Sequence, residues 1–343
     1  MEHSVKPANS NAIEISVVVP VRDEEASIRT LLEALLSQTL PPNEIVITDG
    51  GSIDATREII EEFMSRGAPV RLIREKAALP GRGRNVGVRN SRSEWIAFID
   101  GGNRPGPDWL ANLAAMIGEG STVDVVYGSY EPVVDSFFRE CAAIAYVPLP
   151  VEVEGALARS RFIASTLMRR HVWESVGGFP EHFRSGEDLL FMQEIDRKGF
   201  QTIQAPRAVV FWSIQPTLWR TFQRFKNYAR SNIRAGLWRQ WQAAIFLRYG
   251  LLALIALPAI FLGSRWLLAP PLFWLLLVLA RAAKAIRENR RAFPARIGRN
   301  VLRLLVLLPI IATLDAAVFA GSLSWLVFDK LRVGGARRNH DPE

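Results

Sequence analysis

The sequence predicts an α/β fold with a mainly parallel sheet, followed by C-terminal α-helical membrane segments. Two observations carry this prediction. Through the first two thirds of the chain, short apolar runs rich in β-branched residues alternate with amphipathic stretches, which is the pattern of repeated β-α-β units. From about residue 245 onward, long apolar runs are separated by basic residues, which is typical of membrane segments.

The first two hundred or so residues carry the strands and helices of this sheet. Residues 15–20 (ISVVVP) form a continuous apolar run, which indicates a strand buried on both faces. Further apolar runs predict strands over 45–48, 70–73, 95–99, 123–128 and 163–168. Apolar residues at helical spacing predict helices over 25–38, 54–66, 82–92, 108–117, 135–146, 170–176 and 188–198.

The last third of the chain has the composition of a membrane-associated region. Residues 219–241 combine aromatic and basic side chains, which favours an interfacial helix. The apolar runs at 245–263, 266–280 and 301–328 predict two to three transmembrane or re-entrant helices. Pro270-Pro271 weakens the second run, and Pro309, Asp315 and Gly321 interrupt the third. Residues 281–303 hold eight basic residues and one acid, which predicts a cytoplasmic loop.

The charge distribution supports a division into domains. Residues 1–236 contain 27 Lys and Arg against 29 Asp and Glu, whereas residues 237–343 contain 15 against 5. The basic excess therefore lies outside the predicted globular domain, which argues against a nucleic-acid-binding groove on that domain. We expect a flexible N-terminal tail (1–13), a globular domain (14–236), a membrane-associated region (237–330) and a basic polar tail (331–343).

The cysteine and histidine content and the N-terminal sequence argue against several kinds of site and targeting signal. The single Cys141 allows neither an intramolecular disulfide nor a cysteine-based zinc cluster, and we expect it to be a small buried residue. The four histidines show no metal-ligand spacing. The N-terminus lacks the charged and apolar regions of a signal peptide, so the globular domain is expected to stay in the cytosol.

A series of polar motifs follows the predicted strands. Pro-Val-Arg-Asp-Glu (20–24) ends the first strand and Thr-Asp-Gly-Gly-Ser (48–52) ends the second. Gly-Arg-Gly-Arg-Asn (81–85) begins a helix, Asp-Gly-Gly (100–102) ends a strand, and Ser-Gly-Glu-Asp-Leu-Leu-Phe (185–191) begins a later helix. Because open α/β sheets bind ligands at the carboxyl ends of their strands, these motifs predict a ligand site there.

In this order, over Ile15 to Gly236, the motifs resemble those of the family 2 glycosyltransferases, which have the GT-A nucleotide-sugar-binding fold. The resemblance is strongest to the membrane-attached branch that builds exopolysaccharides of the succinoglycan type. It implies an inverting enzyme that moves a sugar from a nucleotide-diphosphate donor to a lipid-linked or membrane-proximal glycan acceptor in cell-surface polysaccharide synthesis. It also implies a multi-pass protein of the cell (inner) membrane with a cytoplasmic catalytic domain. The Gln-x-x-Arg-Trp motif of processive relatives is absent.

The resemblance also assigns residues to the donor. The positions that match the family's nucleotide-sugar-binding residues are Pro20, Arg22, Glu24, Asp49, Ser52, Arg82, Arg84, Asn85 and Asp100. Residues 49–52 also suit a tight turn with a helix N-cap. Residues 81–85 could instead be a solvated basic loop, although Gly81 and Gly83 would let the backbone approach a ligand closely.

Asp100 matches the first acid of the family's metal-binding Asp-x-Asp motif, and the second acid is replaced by Gly102. The resemblance implies a divalent cation, Mg²⁺ or Mn²⁺, bound by Asp100 together with the substrate phosphates. The missing acid puts this cation in doubt, and Arg84 or Arg104 could carry part of the neutralising charge instead.

The pair Glu187-Asp188 matches the family's catalytic acids. The resemblance implies that Asp188 is the general base that accepts the acceptor's proton. The alternative for the residues themselves is an N-cap of the following helix, by Asp188 or Ser185.

Three other functions stay open from the sequence. A polyprenyl-phosphate glycosyltransferase would use a phosphate acceptor, and a catalytically silent relative would serve as a membrane scaffold. A nucleotidyltransferase is the remotest alternative, since the end of the first strand lacks the usual Gly-rich, Lys-containing segment.

Overall fold

The computed structural model describes residues 13–118, 120–153, 155–261 and 268–331. The predicted N-terminal tail, except for Ile13, and the predicted C-terminal tail, except for Leu331, lie outside the described residues. The strands are β1 (Ile15–Val21), β2 (Glu44–Asp49), β3 (Val70–Arg74), β4 (Trp95–Phe98), β5 (Asn103–Pro105), β6 (Val125–Val133), β7 (Val151–Val153), β8 (Ala156–Ala158), β9 (Thr166–Arg169) and β10 (Thr202–Ser213).

The helices follow the strands through the first part of the chain and predominate in the described residues of its last part. They are α1 (Ile28–Leu36), α2 (Thr56–Ser65), α3 (Pro80–Asn90), α4 (Trp109–Ala114), α5 (Phe137–Tyr146), α6 (Arg170–Val176), α7 (Glu187–Lys198), α8 (Leu218–Arg234), α9 (Trp238–Trp241), α10 (Ala243–Phe261), α11 (Ala269–Glu288) and α12 (Ile297–Trp325).

The main sheet has eight strands in the order β3-β2-β1-β4-β9-β6-β10-β5. Its first four strands are parallel, with Val18 of β1 opposite Val46 of β2 on one side and opposite Phe98 of β4 on the other. The β1, β2 and β4 residues are almost all buried, because helices cover both faces of a parallel sheet. The predicted fold class is therefore confirmed.

The other half of the sheet is antiparallel. β9 pairs antiparallel with both β4 and β6, and β5 pairs antiparallel with the end of β10. The sequence analysis did not predict β10, although it runs over twelve residues. It also missed β5 and the small β7–β8 hairpin, each of which has only three-residue strands.

Packing divides the chain into two compact units. The first contains the residues through Glu131 together with Val151–His182 and Phe191–Trp212. The second contains Pro132–Pro150, Phe183–Leu190 and the residues from Ser213 onward. The predicted boundary between residues 236 and 237 falls inside the second unit, because α8 packs with α12.

Two helices of the second unit run through residues that the sequence analysis treated as breaks. Pro270 and Pro271 occupy the first turn of α11, where their missing N–H groups cost no helical hydrogen bond. α12 is continuous across Pro309 and Gly321 and extends into a π-helical turn, Leu326–Leu331. The predicted basic loop over 281–303 was therefore too long, since only residues 289–296 connect α11 to α12.

Among the described residues, two helices are long and apolar enough to cross a membrane: Ala269–Glu288 and Ile297–Leu331. α10 is apolar as well, and its stretch Ala243–Leu257 is shorter than a span. The interfacial helix predicted over 219–241 is divided in two, because Gly236 adopts a left-handed conformation (φ 74°) between α8 and α9. The length and composition of these two helices are compatible with membrane association of this region.

Candidate active site

An ion pair joins two of the predicted donor-site residues in the first unit. Arg84 Nη2 on α3 donates to Asp100 Oδ1 at the end of β4, at 2.7 Å. The Arg84 side chain is 4% exposed and that of Asp100 is 38% exposed. A buried guanidinium needs a counter-charge, and Asp100 provides one while keeping part of its carboxylate accessible. The guanidinium also lies 5.4 Å from the centre of the Phe179 ring.

Glu24 lies beside the turn that follows Asp100. A Cβ atom built on Gly102 would be 3.6 Å from both Glu24 Oε1 and Oε2, and one built on Gly101 would be 3.2 Å from Glu24 Cγ. Glu24 and Gly102 are 78 positions apart in the sequence. They come together because they follow β1 and β4, which are neighbouring strands of the sheet. The structure therefore brings the acids of two separate motifs to one place.

Asp49 and Ser52 form the tight turn that the sequence allowed. Asp49 Oδ1 accepts hydrogen bonds from the backbone N of Ser52 at 3.0 Å and from its Oγ at 2.5 Å, and both residues are buried. Ser52 Oγ in turn accepts from the backbone N of Asp23 at 2.9 Å. This turn thus fixes the segment after β1, and a contact of Asp49 with a nucleotide stays a prediction.

Gly50 shows why a second acid is absent after Asp49. A Cβ atom on Gly50 would be 2.7 Å from the carbonyl oxygen of Ala78. The close approach of the Ala78 backbone therefore leaves no room for a side chain at this position.

Asn85 has a structural role that the sequence analysis did not anticipate. It is buried, and its Nδ2 donates to Phe179 O and to Glu181 Oε1 at 2.8 and 2.9 Å. Its Oδ1 accepts from Phe179 N and from Trp173 Nε1, at 2.8 and 2.9 Å. Two donors and two acceptors saturate an amide, so the predicted nucleotide contact of Asn85 has no support in this geometry.

Gly83 of the Gly-Arg-Gly-Arg-Asn motif and Gly87, one helical turn later, serve helix packing. A Cβ atom on Gly83 would be 3.0 Å from Pro20 Cβ, and one on Gly87 would overlap Val18 Cγ1. The spacing of four residues puts both glycines on the face of α3 that packs against β1. The sequence analysis had interpreted Gly83 as allowing an approach of the backbone to a ligand.

Arg82 and Arg22 are the exposed cations of the predicted set. Arg82 Nε donates to Glu75 Oε1 at 2.8 Å, and this hydrogen bond together with the carboxylate's charge raises the pKa of Arg82. Arg22 Nε lies 3.7 Å from Asp23 Oδ2, and both side chains are about half exposed. These contacts place neither arginine on a diphosphate, and their donor-binding roles stay predictions.

The carboxylates near Gly102 fit a divalent cation in part. Asp100 and Glu24 offer hard oxygen ligands of the kind that Mg²⁺ and Mn²⁺ prefer. The described residues contain no group of three or more His, Cys, Asp or Glu side chains able to hold a metal ion. A cation at Asp100 would therefore take most of its ligands from substrate phosphates and water.

The acidic pair Glu187-Asp188 forms the first turn of α7 and lies in the second unit. Glu187 is buried, whereas Asp188 is partly exposed and its Oδ1 accepts a hydrogen bond from Leu189 N at 2.9 Å. The helix begins one residue earlier than predicted, so Asp188 is not its N-cap. The adjacent Gly186 has φ 88° and faces the end of α8, where a Cβ atom would lie 3.6 Å from Leu237 Cδ1.

The second unit also contains an apolar cavity of about 590 Å³. Its lining residues come from α8, α9, α10 and α12 with the turn that follows: Ile233, Trp238, Phe246, Phe319, Ser322, Leu323, Trp325 and Leu326. Ile233 and Trp238 flank Leu237, which packs against Gly186. The segment 232–238 therefore contacts the loop of the acidic pair and lines the cavity.

Comparison with known proteins identifies the family. The profile of "Glycosyl transferase family 2" matches residues 16–170, and that of "Glycosyl transferase family group 2" matches residues 95–316, more than half of the chain. Glycosyltransferase AglE of Haloferax volcanii is 31% identical over 54% of this chain and 62% of its own length. The poly(ribitol-phosphate) beta-N-acetylglucosaminyltransferase TarS of Staphylococcus aureus is 29% identical over 52% of this chain and 32% of its own length.

The chain thus spans less than two thirds of either relative. A solved structure supports the fold: the mannosyltransferase PcManGT of Pyrobaculum calidifontis, in complex with GDP-Man and Mn²⁺, has a TM-score of 0.54. At 18% identity, it covers 95% of this chain and 90% of its own. From the family profiles and the order of the motifs, this chain belongs to the family 2 glycosyltransferases.

Proposed function

We propose that this protein is an inverting glycosyltransferase that moves a sugar from a nucleotide-diphosphate donor to a lipid-linked, membrane-proximal acceptor. The proposed sugar transfer is supported mainly by the family match together with the Arg84–Asp100 pair at the carboxyl end of β4. An arginine and an accessible carboxylate at this edge can bind a diphosphate, directly and through a cation. The solved mannosyltransferase with this fold is in complex with GDP-Man and Mn²⁺, which supports a donor of the same chemical class.

The acidic pair supplies the chemistry on the acceptor side. Asp188 is partly exposed at the start of α7, so its carboxylate can reach an acceptor hydroxyl and take its proton as the bond to the sugar forms. An in-line attack of this kind inverts the configuration at the sugar carbon. Glu187 is buried beside it.

A lipid-linked acceptor is supported by the second unit. The apolar cavity of about 590 Å³ is large enough for part of a hydrocarbon chain, and the segment that lines it also packs against Gly186, next to the acidic pair. The two helices that are long and apolar enough to span a membrane belong to the same unit. Tethering at a bilayer raises the effective concentration of a membrane-bound acceptor.

The test is transfer from labelled nucleotide sugars to lipid extracted from the source membranes, with the purified full-length protein. We expect label in the organic phase with one donor of the panel, and the anomeric configuration of the product opposite to that of the donor. Hydrolysis of nucleotide sugars without any transfer, or retention of configuration, would contradict the proposal.

A further inference from the structure

In the first unit, the carboxylate of Glu24 lies next to the position at which the Asp-x-Asp motif lacks its second acid. In the family pattern the second acid would stand at position 102, which is glycine here. A Cβ atom on Gly102 would lie 3.6 Å from Oε1 and from Oε2 of Glu24. The carboxylate of Glu24 therefore occupies the space next to the missing side chain, although Glu24 belongs to the loop after β1 and Gly102 to the turn after β4.

The charges around Asp100 show why a second acid matters. Arg84 and Asp100 form an ion pair at 2.7 Å, so together they contribute no net charge. Asn103, which follows the turn as the first residue of β5, is neutral and buried. Without Glu24, a divalent cation beside Asp100 would meet no net negative charge from these residues, and cation affinity depends on the number of charged ligands.

Glu24 is held in this position by the protein. Its backbone N donates to Thr56 Oγ1 at 2.7 Å, and Ser27 Oγ donates to its Oε2 at 2.5 Å. The glycine turn also lies close to β1, because a Cβ atom on Gly101 would be only 2.9 Å from Val21 Cγ1. The glycine turn thus packs against the aliphatic part of the Glu24 side chain and against Val21 at the end of β1, and these contacts hold the Glu24 carboxylate in place before a ligand binds.

We propose that Glu24 supplies the second acidic group of a divalent-cation site that binds the diphosphate of the donor, in place of an acid at position 102. This rests on the proposed function, because the nucleotide provides the remaining oxygen ligands. It assigns to Glu24 a role at the cation and the diphosphate, away from the base and ribose.

The experiment measures Mn²⁺ binding by electron paramagnetic resonance to the full-length protein, with UDP and with GDP. We expect Glu24→Gln to weaken Mn²⁺ binding at least about tenfold. Gly102→Asp in the Glu24→Gln background should restore most of the lost affinity, because position 102 is open to a side chain and adjacent to the same space. Glu25→Gln is the matched control, since Glu25 is exposed and its Oε2 accepts from Ala55 N.

Nucleotide binding without Mn²⁺, measured by calorimetry, should be the same in all variants. The inference is wrong if Glu24→Gln leaves Mn²⁺ affinity unchanged, or if the double variant binds Mn²⁺ no better than Glu24→Gln. It is also wrong if Glu24→Gln lowers nucleotide affinity without Mn²⁺, since Glu24 would then contact the nucleotide itself. A wild-type protein that binds neither UDP nor GDP would contradict the proposed function and this inference with it.

Discussion

At the scale of single residues, Asp188 carries the proposed chemistry. Asp188→Asn keeps the size of the side chain and an oxygen that can accept from Leu189 N, but it removes the proton acceptor. We expect transfer to fall about 10²- to 10⁴-fold, with nucleotide affinity nearly unchanged. Steady-state kinetics measures the fall in sugar transfer, and calorimetry measures the nucleotide affinity.

The control for Asp188 is Glu194→Gln on the same helix, where the carboxylate pairs with Arg197 at the surface. This variant should retain full activity. Near-wild-type turnover by Asp188→Asn with the native acceptor would remove Asp188 from the general-base role.

The Arg84–Asp100 pair gives a prediction about stability. Asp100→Asn would leave the buried guanidinium of Arg84 without the charge that it now faces at 2.7 Å. We expect the free energy of unfolding to fall by about 1–3 kcal/mol, measured by urea denaturation. The control is Asp108→Asn, at an exposed position directly before α4. This variant should change the free energy of unfolding by less than about 0.5 kcal/mol. Equal stability of the two variants would show that the pair does not stabilise Arg84.

The sequence predicted which residue types gather at the sheet edge, because strand ends and their polar motifs are local features. It could not predict that Glu24 lies beside Gly102, because that proximity depends on the order of β1 and β4 in the sheet. Asn85 shows a second limit of the sequence analysis. Its place in the motif suggested a ligand contact, whereas its four hydrogen bonds, which join α3 to residues far along the chain, emerge only from tertiary packing.

At the scale of secondary-structure elements, the parallel strands β1, β2 and β4 were predictable because burial on both faces leaves a continuous apolar run in the sequence. β10 escaped prediction because Gln204, Pro206 and Arg207 interrupt the apolar residues of its first half, and proline is unfavourable inside most strands. The proline pair of α11 was taken for a weakness in an apolar run, since its effect depends on where the helix begins.

The contact between α8 and α12 depends on a glycine. A Cβ atom on Gly321 would lie 2.6 Å from Ala229 Cβ and would overlap the carbonyl oxygen of Lys226. We therefore expect Gly321→Ala to push the helices apart and to lower the free energy of unfolding by about 1–3 kcal/mol. Thermal unfolding of the detergent-solubilised protein measures the effect.

Gly298 on the same helix provides the matched control, because a Cβ atom there would meet nothing within 4 Å. Gly298→Ala should be neutral or stabilising by up to about 1 kcal/mol, since alanine favours helix. The interpretation of the α8–α12 contact would be wrong if both substitutions had the same effect.

Glu140 connects α5 to α12 through Arg299 and Arg303. Burial alone would raise the pKa of the Glu140 carboxyl, but the hydrogen bonds from the two arginines outweigh it and lower the pKa below 4.5. A lowered pKa means that the ionised carboxylate stabilises the fold above about pH 4.5, and that this contribution disappears as the pH falls through the folded-state pKa.

Glu140→Gln should therefore destabilise the protein at pH 7 and flatten the dependence of its melting temperature on pH below about 4.5. Glu288→Gln removes the exposed i,i+4 partner of Lys284 and should change neither quantity measurably. A wild-type pH dependence in Glu140→Gln would show that another carboxylate is responsible.

At the scale of the whole molecule, the topology follows from contacts within the second unit. Asn289 Nδ2, at the start of the connection between α11 and α12, donates to Ile144 O of α5 at 3.4 Å, and Arg299 pairs with Glu140 of the same helix. In the proposed topology, in which α11 and α12 span a membrane, we therefore expect α5 on the same side as this basic connection. We expect the chain before α5 to share that side, in line with the cytoplasmic catalytic domain that the family resemblance implies.

The basic connection carries Arg290, Arg291 and Arg296, and the positive-inside rule places such a segment in the cytoplasm. We expect cysteines introduced at Arg290 and at Ser65, both exposed, to react with a membrane-impermeant maleimide only after cells are opened. The native Cys141 should stay unlabelled, because it is buried and burial raises the pKa of its thiol to about 11, which leaves almost no thiolate at pH 7. Labelling of either introduced cysteine in intact cells would place that segment outside and would separate the donor-binding residues from the cytoplasmic supply of nucleotide sugars.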